Sequence, residues 1–405
     1  MSIDVSRRRF LAGSAAVCTA GAVTPLVAPQ LAFAASGPAA HTLVLVLLDG
    51  GLDGLSALIP AGDRSYGHTR SSTRVREART LGVDSTFALH PALSPLFDLW
   101  TGGLMAAIPA VGTVTRSRSH VLERAVIARG AGGRGGDATG WLARHLVTRA
   151  GGAPAVLQGM SSGDQPAPEL VGHSGAFHMP DLTEVGIGGW NPAELPAAER
   201  ALAARYATAP RELAGSAGTA FDALHRLRSS GAATMESRAV YGPDPWSQHL
   251  RQVGQVVRAD VGLEAAVVNF GGWDTHYAQG GAKGRLADQL DRLARALATF
   301  TADLQDNINQ LTVVVLSEFG RRVAENRSGG TDHGQGGVAF VVGGGLRGGV
   351  HGEWPGLDAT SLDRGDVAVA TDVRSVLAEV VRGRLGSSAL DRVFPNFTPV
   401  PVGFT

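Results

Sequence analysis

Cysteine is nearly absent from this chain. Cys18 is the single one in 405 residues, so neither an intrachain disulfide nor a multi-cysteine metal site can hold the fold. Lysine is as scarce: Lys283 is the only lysine among 36 cationic residues, and with 55 glycines this marks a general bias in residue usage, so an arginine at any one position carries little functional weight. A net field is missing too. The 36 cations balance 36 anions, which argues against nucleic acid or an anionic membrane surface as a partner. Cysteine motifs of the redox kind are missing as well, which disfavours an oxidoreductase. What the chain has is length and apolar content (44%), enough to bury a substantial core in one large domain or two intimate ones.

At the N-terminus, SRRRFLAGSAAVCTAGAV sets paired arginines before an apolar run, and AFA follows as a small-x-small cleavage site. Ser6, Arg7, Arg8, Phe10 and Leu11 stand at the spacing of a twin-arginine export signal, which predicts removal of residues 1–34 after Ala34. The apolar run is short and broken by Gly13, Gly21, Pro25 and Pro29, so it does not read as a membrane anchor. Cys18 leaves with the signal. The expectation is a near-neutral periplasmic or extracellular protein, handed to the twin-arginine export machinery in folded form and without a stable membrane anchor after cleavage.

Five runs beyond the signal read as strands buried on both faces: HTLVLVLLDGG, LMAAIPAVG (104–112), EAAVVNFGG (264–272), LTVVVLSEFG (311–320) and GVAFVVGGG (337–345). Between the third and fourth, Leu286, Leu290, Leu293, Leu297, Phe300 and Leu304 recur at three- and four-residue steps, which predicts one long amphipathic helix. Strand, helix, strand in that order predicts an α/β fold, a mainly parallel sheet between two helical layers. Residues of about 151–235 turn from Pro, Gly and Ser-rich to helical and are expected as an inserted helical cap within a single domain over 35–405.

Ligands of parallel sheets sit at the carboxyl ends of strands. The polar clusters of this chain fall there. Asp49 and Asp53 close the first strand; TRSRSH follows the second, GGWDTH the third and SEFGR the fourth, with GGTDHG a short loop later. Asp, Glu and His suit zinc, manganese, calcium or magnesium, so Asp49, Asp53, Asp274, His276, Glu318 and His333 are the candidate metal ligands. Other readings stand beside this one: Asp49 as a turn cap, Asp274 and His276 as an Asx turn with a surface histidine, and Glu318 in an ion pair with Arg321 or Arg322. Ser117 or Ser119 opens a helix, as an N-cap or as a nucleophile; Arg116 and Arg118 flank it, and His120 is a candidate base or ligand.

Taken together, LLDGGLDGL, SRSHVLERA, FGGWDTHYAQ, LSEFGRRVAEN, GGTDHGQGG and LRGGVHGEWPGL resemble the exported family catalogued as domain of unknown function 1501. More distantly, their order is similar to the alkaline phosphatase and sulfatase superfamily. That resemblance implies Asp49 as the first metal-binding Asp, Ser119 as nucleophile, Asp274 with His276 as the later pair, Glu318 as the strand-end carboxylate and His333 as the last His. It also shows a departure: Phe319 stands where the superfamily carries a metal-binding His. The expected activity is metal-dependent hydrolysis of a small anionic phosphate or sulfate ester, with Ser119 attacking, Arg116 or Arg118 clamping the anion, and His120 assisting. The alternative is a non-catalytic exported binding or assembly protein on the same scaffold.

Overall fold

The computed structural model describes residues 40–76, 81–132, 138–148, 156–184 and 194–405, and the expected export signal lies outside them. Its centre is strand β1 (Thr42–Asp49), in which Leu43, Leu45 and Leu47 face one core while Val44, Val46 and Leu48 face another. Successive side chains of a strand point to opposite faces, so an unbroken apolar run requires a layer on each side. Both layers are present. Helices α5 (Pro245–Arg258) and α6 (Arg285–Asp303) cover one face; α2 (Trp141–Thr148) and α7 (Val373–Gly383) cover the other.

The remaining strands of this nine-stranded sheet are β2 (Met105–Gly112), β3 (Gly159–Ser162), β4 (Ala176–His178), β5 (Ala265–Gly271), β6 (Leu311–Ser317), β7 (Gly337–Val342), β8 (Gly349–Val350) and β9 (Thr371–Asp372). They run in the order β8-β2-β7-β6-β1-β5-β3-β4, with β9 also on β2. All share one direction except β7, which is antiparallel to both β2 and β6. The expected α/β class holds, and β7 is the exception for a physical reason. A parallel return needs a long crossover; between Ser317 and Gly337 the chain makes instead a short antiparallel pairing of Arg321–Glu325 with Thr331–His333. Because β7 enters the sheet from the end where its neighbours leave it, its leading loop arrives at the carboxyl-end face.

In α6 the leucines foreseen as one stripe are buried: Leu286, Leu290, Leu293, Leu297 and Phe300 are at most 2% exposed. Leu304, also buried, follows the helix at its C-cap. Leu290→Ala is expected to cost about 2–5 kcal/mol, read as a lower urea midpoint at unchanged slope.

The segment expected as an inserted cap is divided. Gly159–Ser162 pairs in parallel with β5, Gly159 opposite Ala265, and Ala176–His178 pairs with it in turn, so the first half extends the sheet edge. Its Gly and Ser content disguised a short buried strand, GMSS. The second half is helical, with α3 (Leu195–Tyr206) and α4 (Arg211–Ser230); Ala223 and Leu227 of α4 join the main core. Among the described residues, no helix is long and apolar enough to cross a membrane.

Candidate metal centre

The chain leaves β1 at Asp49, β5 at Gly271 and β6 at Ser317, and the three exits converge. Gly50 has φ +128°, and a Cβ there would meet the backbone nitrogen of Asp274 at 2.5 Å, so only glycine lets the first exit pass beneath the second. Gly330 does the same for the third: a Cβ would lie 2.3 Å from the carbonyl oxygen of Thr275. The 330–333 segment therefore runs hard against 274–276.

Three imidazoles meet over Asp274, and each has its Nδ1 held from behind. His120 Nδ1 lies 2.5 Å from Glu318 Oε1, His276 Nδ1 2.9 Å from Asp332 Oδ1, and His333 Nδ1 3.0 Å from the carbonyl oxygen of Arg118. Carboxylates and a carbonyl accept, so each Nδ1 carries a proton, and a ring without a second proton presents its Nε2 lone pair forward. Those lone pairs converge. His276 Nε2 is 3.0 Å and His333 Nε2 3.2 Å from Asp274 Oδ1, His120 Nε2 is 3.7 Å from Asp274 Oδ2, and the Nε2 atoms of His276 and His333 are 2.9 Å apart. One ligand atom from each of His120, Asp274 and His333 falls within 4.8 Å of the others.

Lone pairs facing one another at such distances repel unless a cation or an added proton lies between them. Imidazoles with their rear nitrogens anchored by oxygen, plus one carboxylate, are donors that can hold a metal ion. Burial holds His333 below the usual imidazole range, favouring the neutral ring that binds metal. Burial acts the other way on Asp274, but the hydrogen bond and charge of Arg321 outweigh it and keep the carboxyl below its usual range. Hydrogen bonds from Asn326 and His276 do the same for Asp332. The cluster is open on one side: the Asp274 side chain is 45% exposed and those of His276 and His120 41% and 36%. An open position is what separates reactive metal sites from closed structural ones.

The sequence-expected residues are distributed unequally around this cluster. Asp274, His276 and His333 are in it. Glu318 stands behind it, with Oε1 accepting from His120 and from the Gly50 amide at 2.9 Å, and Oε2 from Ser317. The expected pairing of Glu318 with Arg321 or Arg322 does not form. Arg321 is buried and donates to Asp274 and to the carbonyls of Gly50, Gly51, Trp273 and Thr331, while Arg322 faces Asp366. Asp49 is engaged elsewhere: Arg124 lies 2.8 Å from it and also bridges to Glu169, although burial still raises the Asp49 carboxyl above its usual range. Asp53 is withdrawn altogether, fully buried with both oxygens on Arg70.

Ser119 takes the N-cap position of α1 (His120–Arg129), yet its hydroxyl does not cap the helix, against the expectation of an ordinary serine cap. Arg116 and Arg118 both have left-handed backbone, φ +52° and +54°, a conformation that costs roughly 1–3 kcal/mol at a non-glycine residue. That twist sets the Arg118 carbonyl against His333 and starts the helix at His120. The arginine side chains point away from an anion-clamping role: Arg116 pairs with Asp363 and Arg118 with Asp366. Phe319, the apparent gap in the ligand pattern, packs its ring 4.9 Å from His120 and 4.7 Å from His333, so it forms an apolar wall and His120 brings an imidazole from another segment.

Asp332 is not among the ligands expected from sequence: in a turn bracketed by Gly330 and Gly334 either it or His333 could face inward, and nothing there sets it against His276. A second motif was missed from sequence: GMSSG (159–163) has the GxSxG spacing of a nucleophile elbow. In the structure it is no elbow. Ser161 is a buried strand residue paired with Val267, its hydroxyl 3.1 Å from His178.

Likenesses to solved structures are distant. The chain is 12% identical to the PsFucS1 sulfatase from Pseudoalteromonas sp., over 93% of this chain and 72% of that one, with a TM-score of 0.34. It is 8% identical to the lipoteichoic acid synthase LtaP from Listeria monocytogenes, over 82% and 74%, with a TM-score of 0.36. For Ps i-CgsB the identity is 11%, the coverage 88% and 74%, and the TM-score 0.37. At such scores the likenesses say nothing about what this chain binds. No curated protein matches the sequence. Over residues 191–380, the stretch that holds Asp274, His276, Glu318, Asp332 and His333, the chain matches the family described as Protein of unknown function (DUF1501).

Proposed function

We propose that this protein is an exported, metal-dependent hydrolase of phosphate or sulfate esters that works with one divalent ion. The observation that carries the reading is the convergence of three Nε2 lone pairs on Asp274, each ring held from behind by an oxygen acceptor. His120, Asp274 and His333, whose ligand atoms lie within reach of one another, would hold the ion, with His276 beside Asp274 and His333 as a further donor. Imidazole-rich sets favour zinc over calcium, magnesium and manganese, which take oxygen ligands. A second ion has little support, because the Arg124 guanidinium already neutralises Asp49.

A divalent ion held there supplies positive charge to an ester oxygen and lowers the pKa of bound water or alcohol. The chain's own contribution begins with Ser119, whose hydroxyl is free of capping duty at the positive end of a ten-residue helix and next in sequence to His120. Attack by its oxygen on phosphorus or sulfur would release the alcohol and leave the acid group on the serine for water to remove. Glu318 and Asp332 keep His120 and His276 in one tautomer, and Phe319 excludes water from one wall. Export by the twin-arginine route fits a protein that must leave the cytoplasm folded.

The test is release of nitrophenol from its phosphate and sulfate esters by protein stripped of metal and reloaded with zinc or manganese. Ser119→Ala is expected to lower kcat by several orders of magnitude with metal retained. A second reading, binding or assembly without turnover, is favoured by the pairing of Arg116 and Arg118 with Asp363 and Asp366. One ion per chain with no turnover of either ester, or turnover indifferent to Ser119→Ala, decides against the nucleophile.

A further inference from the structure

Behind the cluster lies a buried polar chain that touches none of its histidines. Asp53, Thr275, Gln279 and Thr331 are all 0% exposed, and Arg70 is 1% exposed. Arg70 donates to Asp53 Oδ2 at 2.6 Å and to Oδ1 at 3.0 Å. Gln279 Nε2 donates to Asp53 Oδ2 at 2.7 Å, and Gln279 Oε1 accepts from the hydroxyls of Thr275 at 2.9 Å and Thr331 at 2.7 Å. The direction of the amide is dictated. A carboxylate can only accept, so the amide nitrogen must face Asp53 and the oxygen must face the threonines.

The two threonines stand at informative places. Thr275 separates Asp274 from His276, and Thr331 immediately precedes Asp332 and His333. Their backbones meet as well, with the Thr331 amide donating to the Thr275 carbonyl at 3.2 Å. One carboxamide oxygen therefore grips both ligand-bearing segments, while its nitrogen is tied to an ion pair fixed in the core.

We propose that Gln279 is a positioning residue of the metal centre, setting the separation of the Asp274–His276 and Asp332–His333 segments through Thr275 and Thr331. This rests on reading the cluster as a metal site. Each threonine is next in sequence to the residues it places, so loss of the shared acceptor frees both segments at once. Supports of this kind change metal affinity by about 10–100-fold when removed.

Two variants test it: Gln279→Met, and the pair Thr275→Val with Thr331→Val, which deletes the same two bonds from the other side and stands in if the first fails to fold. Metal-stripped full-length protein is titrated with cobalt(II), and its visible absorption and affinity are compared with the parent. The nitrogen resonances of His276 and His333 are recorded without metal. The expected result is cobalt affinity lower by about 10–100-fold in both variants, an altered visible band, and mixed histidine tautomers where the parent shows Nδ1–H. Parent-like affinity and band, with only a lower unfolding midpoint, would overturn the proposal and leave Gln279 a purely structural residue. Should the parent itself bind no cobalt, the metal reading falls separately. The histidine spectra then decide: mixed tautomers in the variants sustain the positioning role, and an unchanged Nδ1–H pattern removes it.

Discussion

Replacing His333 with alanine is expected to abolish stoichiometric metal binding, a loss larger than the 10–100-fold that outer partners such as Asp332 control. The reason is its central place. His333 Nε2 lies within 3.2 Å of both Asp274 Oδ1 and His276 Nε2, and its ring also packs against His120 and Phe319. Without it, His120 and His276 have no common neighbour among the imidazoles, and Asp274 turns fully to Arg321. Equilibrium dialysis of chelator-stripped protein against zinc, with elemental analysis, should give one ion per parent chain and a small fraction of that for His333→Ala. Thermal unfolding supplies an independent reading. A ligand at a hundred times its Kd stabilises the folded state by about 2.7 kcal/mol, so zinc should raise the parent's Tm and leave the variant's unmoved. Equal stoichiometry and equal stabilisation in both proteins would sink the site.

Much of this architecture is visible in the pattern of residues. Long apolar runs such as Leu43–Leu48 and Val313–Leu316 identify doubly covered strands, and the three- and four-residue leucine steps identify α6. Placing Asp274, His276, Glu318 and His333 at strand ends follows from the general geometry of parallel sheets. What stays hidden is which polar group faces which. With 35 arginines available, nothing in sequence says that Arg321 belongs to Asp274, Arg124 to Asp49 and Arg70 to Asp53. His120 stands out in the sequence as a candidate base or ligand, but its place in the cluster does not. Its role depends on a left-handed twist at Arg116 and Arg118, residues that give no sequence warning of positive φ. His120 brings an imidazole beside Phe319 from a distant segment, and only tertiary contact reveals that.

The Asp53–Arg70 pair gives the largest expected change in stability. Asp53→Ala or Arg70→Met, taken singly, should each cost about 3–5 kcal/mol in urea unfolding at neutral pH, because each leaves an uncompensated charge in the core. Replacing both, as Asp53→Leu with Arg70→Met, should cost far less than the sum, since a buried pair exchanged for apolar groups is close to neutral. The residual loss comes from the Gln279 amide nitrogen, the Ser56 hydroxyl and the carbonyls of Arg322 and Val323, each losing a partner. The pH dependence has a definite sign. Burial alone would raise the Asp53 carboxyl, but Arg70, with hydrogen bonds from Ser56 and Gln279, holds it below the usual range. A depressed carboxyl stabilises the fold above the unfolded-state value and loses that contribution as pH falls through the folded-state value. The parent should therefore lose this increment only in strong acid, and the double variant should lack it. Single-variant losses that simply add would mean that the two charges are not coupled. Asp53 also separates two roles that sequence alone leaves merged. As a ligand, its loss would remove metal without unfolding the core; as the anchor of Gln279, its loss weakens the fold first and the metal centre through it. The second order of effects is the expected one, because both Asp53 oxygens are occupied by Arg70.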